Sequence, residues 1–404
     1  MKDATMDVAY LETQPTTKYR VLGAISSAHF LNDMMQSLLM ALYPLLKGSY
    51  HLSFAQIGLL SLTYQITASI LQPLIGMFTD RFHVRHSLTM GMGFTFVGLI
   101  VLSQATTFPL LILAAGLVGM GSAVFHPESS RVARMASGGQ HGLAQSIFQV
   151  GGNAGSASGP LLAALIVIPF GQPSLIWFSL AALGAMALLW QVGNWKNKQH
   201  LATKHKVQAR LNPLSNKKTA YALVILMALV MTKYVYMASI QSYYTFYLIE
   251  RFGLSAQMAQ IMLFVFLAGV ALGTIAGGPI GDRIGRKSVI WFSILGCAPF
   301  TLALPYLGLH LTVVFSFIIG LIMSSAFSAI LVFAQELLPN HIGTVSGLFF
   351  GLAFGIAGIS AALIGNLADA HGITAVYKIT ALLPLGGIIA ALLPDLRKRP
   401  EPVV

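Results

Sequence analysis

Hydrophobic runs of roughly 20 residues follow one another along nearly the whole chain, and that length matches a helix crossing a bilayer core. Inside lipid every backbone polar group has to be satisfied within the protein, so only helices and closed barrels can span it. Membrane barrels show short strands of alternating polarity, and none are legible here. Only 9% of the 404 residues are charged, against roughly 25% in soluble domains. The expectation is an all-α membrane protein with twelve spans at about 21–46, 54–79, 87–107, 110–136, 142–168, 174–194, 220–249, 256–281, 288–307, 311–338, 342–368 and 374–393. The first nineteen residues are polar and include Asp3, Asp7 and Glu12. The apolar run after them is long enough to stay as a helix, so no cleavable signal is expected.

The net charge of +12 reports topology. With the N-terminus in the cytoplasm, 20 of the 24 Lys and Arg fall in cytoplasmic segments; Lys47 and Arg251 are external, and Lys233 and Lys378 lie within spans. That asymmetry is the positive-inside rule. It predicts a multi-pass membrane protein with both termini cytoplasmic, the lipid bilayer as its partner and no nucleic acid. The single Cys297 offers no disulfide framework.

Residues 195–219 form the one long polar stretch, with seven basic residues, and divide the chain into halves, 1–194 and 220–404. The halves are related. At a constant offset of 202, Leu46, Leu52, Ser53, Gly76, Asp80 and Arg81 match Leu248, Leu254, Ser255, Gly278, Asp282 and Arg283. Two parallel six-helix repeats with a midplane site between them are a transporter plan.

Ionisable side chains within spans are expensive, so those present are candidates for function. His29, Asn32, Asp33 and Gln36 share one face of the first span. Asp33 reads as a proton carrier tuned by His29, with Asn32 and Gln36 on the substrate side; the alternative is a fixed hydrogen-bond partner between helices. In the fourth span His126, Glu128, Arg131 and Arg134 cluster. Glu128 and His126 could exchange protons and Arg131 could meet an anion, or Glu128 and Arg131 could pair to lock a cytoplasmic gate. Arg134 reads as gate or headgroup contact. Gln145, Gln149 and Asn153 share a face of the fifth span, open to either a cavity-lining or a helix-bonding role. In the seventh, Lys233 with Tyr236, Tyr243 and Tyr244 offers charge and hydrogen bonds to an anion, while Tyr247 reads as interfacial belt. Rows of glycine in spans five and eleven read as close-packing surfaces.

Gly278-x-x-x-Asp282-Arg283-x-Gly285-Arg286-Lys287 resembles the cytoplasmic loop signature of the major facilitator superfamily in full. The first-half copy, Gly76-x-x-x-Asp80-Arg81, is degenerate, with His83 and Val84 at the following glycine and basic positions. Glu336-Leu-Leu-Pro339 resembles the family's Glu-x-x-Pro element. The resemblance implies two pseudo-symmetric six-helix bundles working by alternating access. Asp80, Arg81, Arg134, Asp282, Arg283, Arg286 and Glu336 would then hold the cytoplasmic side shut. The stretches around Asp33, Glu128 and Tyr236 resemble bacterial drug-efflux members most closely, which implies a protein of the bacterial inner (cytoplasmic) membrane exporting a small phosphonate antibiotic against protons; a monomer is expected. Uptake or exchange of another small anionic metabolite stays open. No cofactor, metal or enzyme activity is expected. Arg286 occupies a glycine position that a phosphate-binding loop would need, and no His-Glu-x-x-His motif is present.

Overall fold

The computed structural model describes residues 16–42, 45–46, 49–52, 54–203 and 214–396. Lys47, the centre of the basic linker and the basic C-terminal tail lie outside the described residues. Helices appear at each of the twelve expected spans. They are α1 (Tyr19–Ala41), α2 (Phe54–Ser69 and Leu71–Arg81), α3 (Ser87–Gln104), α4 (Phe108–Ala136), α5 (His141–Leu162, extended by a wider turn at Ala163–Val167) and α6 (Ile176–Thr203). The second set is α7 (Asn216–Phe252), α8 (Ala256–Ile284), α9 (Arg286–Leu295 and Ala298–Ala303), α10 (Leu309–Leu337), α11 (Ile342–His371) and α12 (Ile373–Thr380, tightening to a 3-10 turn over Leu383–Leu392). Nine stretches of the described residues are each long and apolar enough to cross a membrane unaided.

Two boundaries differ from the sequence reading. Helix α6 continues to Thr203 and α7 begins at Asn216, so both ends of the polar 195–219 segment are helical. Polarity marks where a helix leaves lipid, whereas backbone hydrogen bonding continues while side chains have something to pack on. Lys196, at the start of that segment, is only 2% exposed.

The described halves meet through two matching crossings. Helix α2 lies on α11, and α8 lies on α5, each at a pair of glycines. A Cβ placed on Gly76 would come 2.1 Å from the Gly343 carbonyl oxygen, and one on Gly278 would come 2.0 Å from that of Gly142. Gly347 and Gly351 of α11 run equally close to the backbone of Gln72 and Ser69. The glycine rows are therefore packing surfaces, as their spacing predicts. Without a hydrophobic difference between lipid and side chain, this close van der Waals approach is what holds helices together.

One glycine is needed for its backbone instead. Gly285 has φ +97°, a conformation that side chains with a Cβ disfavour. It ends α8 and starts α9 at once. At the matching position His83 has no positive φ, and the α2–α3 connection runs from Phe82 to His86.

Filling the crossings should loosen the assembly. Gly76→Val and Gly278→Val face backbone that cannot yield, so each is expected to destabilise by about 1–3 kcal/mol or more. The change would be read as a lower melting temperature of detergent-purified protein. Gly23→Ala, with nothing within 4 Å of the new Cβ, should leave that temperature unchanged or slightly higher.

Candidate functional site

Charged side chains gather where the two signature loops lie. Asp80, at the end of α2, accepts hydrogen bonds from the Gly343 and Thr344 amides at 3.0 and 2.7 Å and from the Thr344 hydroxyl at 2.6 Å. Asp282, at the end of α8, accepts from the Gly142 and Leu143 amides at 3.0 and 2.9 Å. Each carboxylate thus caps the first turn of a helix in the opposite half. That turn carries unsatisfied N–H groups and the positive end of the helix dipole.

The cations that brace the two caps differ. In the second half Arg286 pairs with Asp282 at 2.7 Å and with Glu336 at 3.1 Å. In the first half Val84 stands at the matching place, and Arg131 reaches over from α4 to pair with Asp80. Arg131 also pairs with Glu128 at 2.8 Å. Glu128 is wholly buried and pairs in addition with Lys196 of α6, while accepting from the Ser87 hydroxyl at 2.8 Å. One buried chain of charge therefore runs Lys196–Glu128–Arg131–Asp80 and ends on α11. Arg134 donates to Gln335 at 3.4 Å. Arg81 and Arg283 are exposed and, among the described residues, take no part in these ion pairs.

Deeper in the bundle, α1 and α4 bring His29, Asp33 and His126 together. Asp33 lies 3.3 Å from Nε2 of His29 and 3.4 Å from Nε2 of His126, and Asn32 donates to it at 3.0 Å. Gln36 turns away from this group: its oxygen accepts from Tyr64 at 2.6 Å and Ser122 at 3.1 Å. Gln145 accepts from Ser130 at 3.0 Å. Both glutamines bond one helix to another.

A separate pocket of about 70 Å³ is lined by Gln149 and Asn153 of α5, Lys233, Tyr234, Met237 and Gln241 of α7, and side chains of α8 and α10. Lys233 is 4% exposed. Its ammonium lies over the rings of Tyr234 and Phe327, at 5.2 and 5.4 Å, and no carboxylate among the described residues is within ion-pair distance of it. Rings connect this pocket to the α1–α4 group. Tyr234 packs on Phe327 at 5.5 Å, Phe327 on Phe350 at 5.1 Å and Phe350 on His126 at 5.0 Å.

Not every candidate reaches this pocket. Arg131 sits in the ion chain and not on the pocket wall. Tyr236, Tyr243 and Tyr244 do not line the pocket. Tyr236 and Tyr244 are buried in an apolar cluster with Tyr247 and Tyr377, and Tyr243 lies against Gly365. Tyr247 is no interfacial belt residue; it is fully buried and stacked on Tyr377 at 4.2 Å. A phenol is large and mostly apolar, so a tyrosine row reads alike whether it faces neighbouring helices or headgroups. Lys196, Tyr234 and Gln241 were not anticipated. Lys196 looked like linker, and Tyr234 stands beside Lys233 in sequence with nothing to set it apart from the other tyrosines.

Comparison with known proteins agrees with this arrangement. The family model of the Major Facilitator Superfamily matches residues 25–362 and again 225–403. The chain belongs to the major facilitator superfamily. This transporter is 58% identical to the fosmidomycin resistance protein of Escherichia coli strain K12, over 96% of each chain. It is 41% identical to an uncharacterized transporter of the same type, YfnC of Bacillus subtilis strain 168, over 96% of this chain and 95% of that one. Its fold matches the human organic anion transporter MFSD10 with a TM-score of 0.75, covering 92% of this chain and 99% of that one at 14% identity. The superfamily signature thus marks the two helix-capping aspartates, while the pocket and the His29–Asp33–His126 group lie away from it.

The buried ion chain yields a test. Lys196→Met leaves the Glu128 carboxylate short of one partner, and breaking a buried pair costs about 3–5 kcal/mol. A marked fall in melting temperature is expected. The double change Lys196→Met with Glu128→Gln should recover part of that loss, because no uncompensated carboxylate remains. Additive losses in that double-mutant cycle would show that the two groups do not interact.

Proposed function

We propose that this transporter is a proton-coupled antiporter that exports small phosphonate anions of the fosmidomycin type by alternating access. The observation carrying the reading is Lys233, a buried cation on a pocket wall with no carboxylate partner among the described residues. Burying an uncompensated charge is costly unless something pairs with it. An anionic substrate supplies that partner, and Gln149, Asn153, Tyr234 and Gln241 offer hydrogen bonds to its oxygen atoms. The 58% identity to a fosmidomycin resistance protein supports a phosphonate as that anion. A different small anionic metabolite satisfies the same pocket chemistry, so the choice is made by a substrate panel.

Protons enter at Asp33, His29 and His126. One carboxylate and two imidazoles in contact offer the atoms that can hold and pass a proton, and the ring chain through Phe350 and Phe327 leads from them to the pocket. Antiport requires protonation and substrate occupancy to oppose each other. In the antiport cycle the two occupancies alternate: drug binding from the cytoplasm releases the cluster's proton to that side, and a proton taken up from outside drives the drug off there.

The halves 1–194 and 220–404, joined by the 195–219 linker, rock about the pocket. Placing the basic loops in the cytoplasm by the positive-inside rule makes the Asp80 and Asp282 caps the cytoplasmic gate, closed in this conformation. Arg131, Arg134, Arg286, Glu336 and Glu128 brace it, and Arg81 and Arg283 face the headgroups. In this reading the protein works as a monomer in a bacterial inner membrane with both termini in the cytoplasm, catalyses no covalent chemistry and binds no nucleic acid.

Two outcomes test the reading. Asp33→Asn should fold normally yet abolish drug export driven by a proton gradient in reconstituted vesicles; normal drug-dependent proton flux in that variant would refute it. Lys233→Ala should weaken binding of anionic phosphonates by tenfold or more while changing binding of a neutral ester analogue little. Equal losses for both ligands in a titration would assign Lys233 a structural role.

A further inference from the structure

The hydrogen bonds around His29 and His126 fix which ring nitrogens carry hydrogen. Nδ1 of His29 lies 2.7 Å from the Phe148 carbonyl oxygen, and Nδ1 of His126 lies 3.0 Å from that of Ser122. A carbonyl only accepts, so both Nδ1 atoms donate. The Ser122 hydroxyl, also near His126 Nδ1, gives its own hydrogen to Gln36. In neutral rings both Nε2 atoms are then bare lone pairs, and both face the Asp33 carboxylate at 3.3 and 3.4 Å. Acceptors aimed at acceptors repel. Such a group is stable only with a cation held among its members, either protons on Nε2 or a metal ion.

We propose that His29, Asp33 and His126 form a binding site for one borderline divalent transition-metal ion, with Zn²⁺ as the type ion, occupied in competition with protons. The donor atoms lie within 4.8 Å of one another. Zinc–ligand bonds of about 2.0–2.1 Å in a tetrahedron place neighbouring donors about 3.3 Å apart, and each imidazole approaches its own Asp33 oxygen at about that distance, Oδ2 for His29 and Oδ1 for His126. The surroundings are those of a metal centre as well. Each imidazole anchors its second nitrogen on a backbone carbonyl, and Asn32 orients the carboxylate, which is how outer groups set metal ligands. Helix α5 leaves room because residue 152 is glycine: a Cβ there would come 2.4 Å from the His29 ring and 2.8 Å from Asp33. His126 Nε2 is buried with no hydrogen-bond partner, while the Asp33 side chain keeps 12% exposure, which gives an ion a way in. Two imidazole nitrogens and one carboxylate select zinc, copper or nickel over magnesium and calcium, which need oxygen donors.

The competing protons belong to these three residues. The other titratable group facing them is the Tyr234 phenol of α7, which interacts electrostatically with Asp33; α5 presents Phe148 and Gly152, and α11 presents Phe350 and Phe354. Metal binding uses the Nε2 lone pairs of both imidazoles, so acid, which places protons there, weakens it.

The test is titration of tag-free, detergent-purified protein with Zn²⁺ alone, followed by calorimetry at pH 6, 7 and 8. It contains no drug and no gradient, so its failure and that of the antiport reading are separate results. One ion per chain is expected, bound more weakly at pH 6 than at pH 8. Excess Mg²⁺ should not displace the ion. His29→Gln and His126→Gln should each weaken binding at least 30-fold, and each is checked for an unchanged melting temperature without metal. His200→Ala, at a stacked surface histidine pair, should bind as the parent does. If a variant fails to fold, the pH dependence and stoichiometry of the parent still decide. Absence of binding up to millimolar zinc, pH-independent binding, or unchanged affinity in both glutamine variants would each overturn the proposal.

Discussion

A charge inside a bundle of membrane helices has no water to turn to, so each one must be met by another group of the same chain. This constraint sorts the polar residues of this transporter into two kinds. Glu128 is buried and ion-paired with Arg131 and Lys196 while accepting from Ser87, and such a group holds helices in place. Lys233 is buried with no carboxylate partner among the described residues, and in the proposed cycle the substrate anion supplies one.

The engaged set explains the shape. Two glycine crossings let α2 approach α11 and α8 approach α5, and at each crossing an aspartate closes over the first turn of the opposing helix. The geometry is repeated, but its bracing is not. Arg286 serves Asp282 from its own signature loop, whereas Asp80 depends on Arg131 from α4 and, through Glu128, on Lys196 of α6. The degenerate first signature has therefore not lost its cation; the charge comes from another helix. In the proposed cycle this couples the first-half gate to α4, which also carries His126.

Much of this was legible in the sequence. The apolar runs mark the twelve helices, with most boundaries within a few residues and the end of α6 nine residues further on, and the offset repeat and the signature loops locate the crossings. The face shared by His29, Asn32 and Asp33 is real, and Gln149, Asn153 and Lys233 do share a pocket. What periodicity leaves open is which helix a face meets. His126 joins His29 and Asp33 from three helices away in sequence, so ligand spacing along the chain could not reveal the group. Lys196 was hidden by its polar neighbours, and the tyrosines of α7 were misplaced because amphipathic rings suit a core and an interface equally.

The central claim is that substrate and proton oppose each other through one connected interior. Its most direct measurement is the proton balance of binding itself: mixing purified protein in weakly buffered detergent near neutral pH with an anionic phosphonate, and following a pH-sensitive dye. For the parent protein the account predicts a change in bound protons of about one per drug bound, and none when the drug is added to Asp33→Asn. Binding of the drug to the parent with no net proton change across pH 6 to 8 would contradict it.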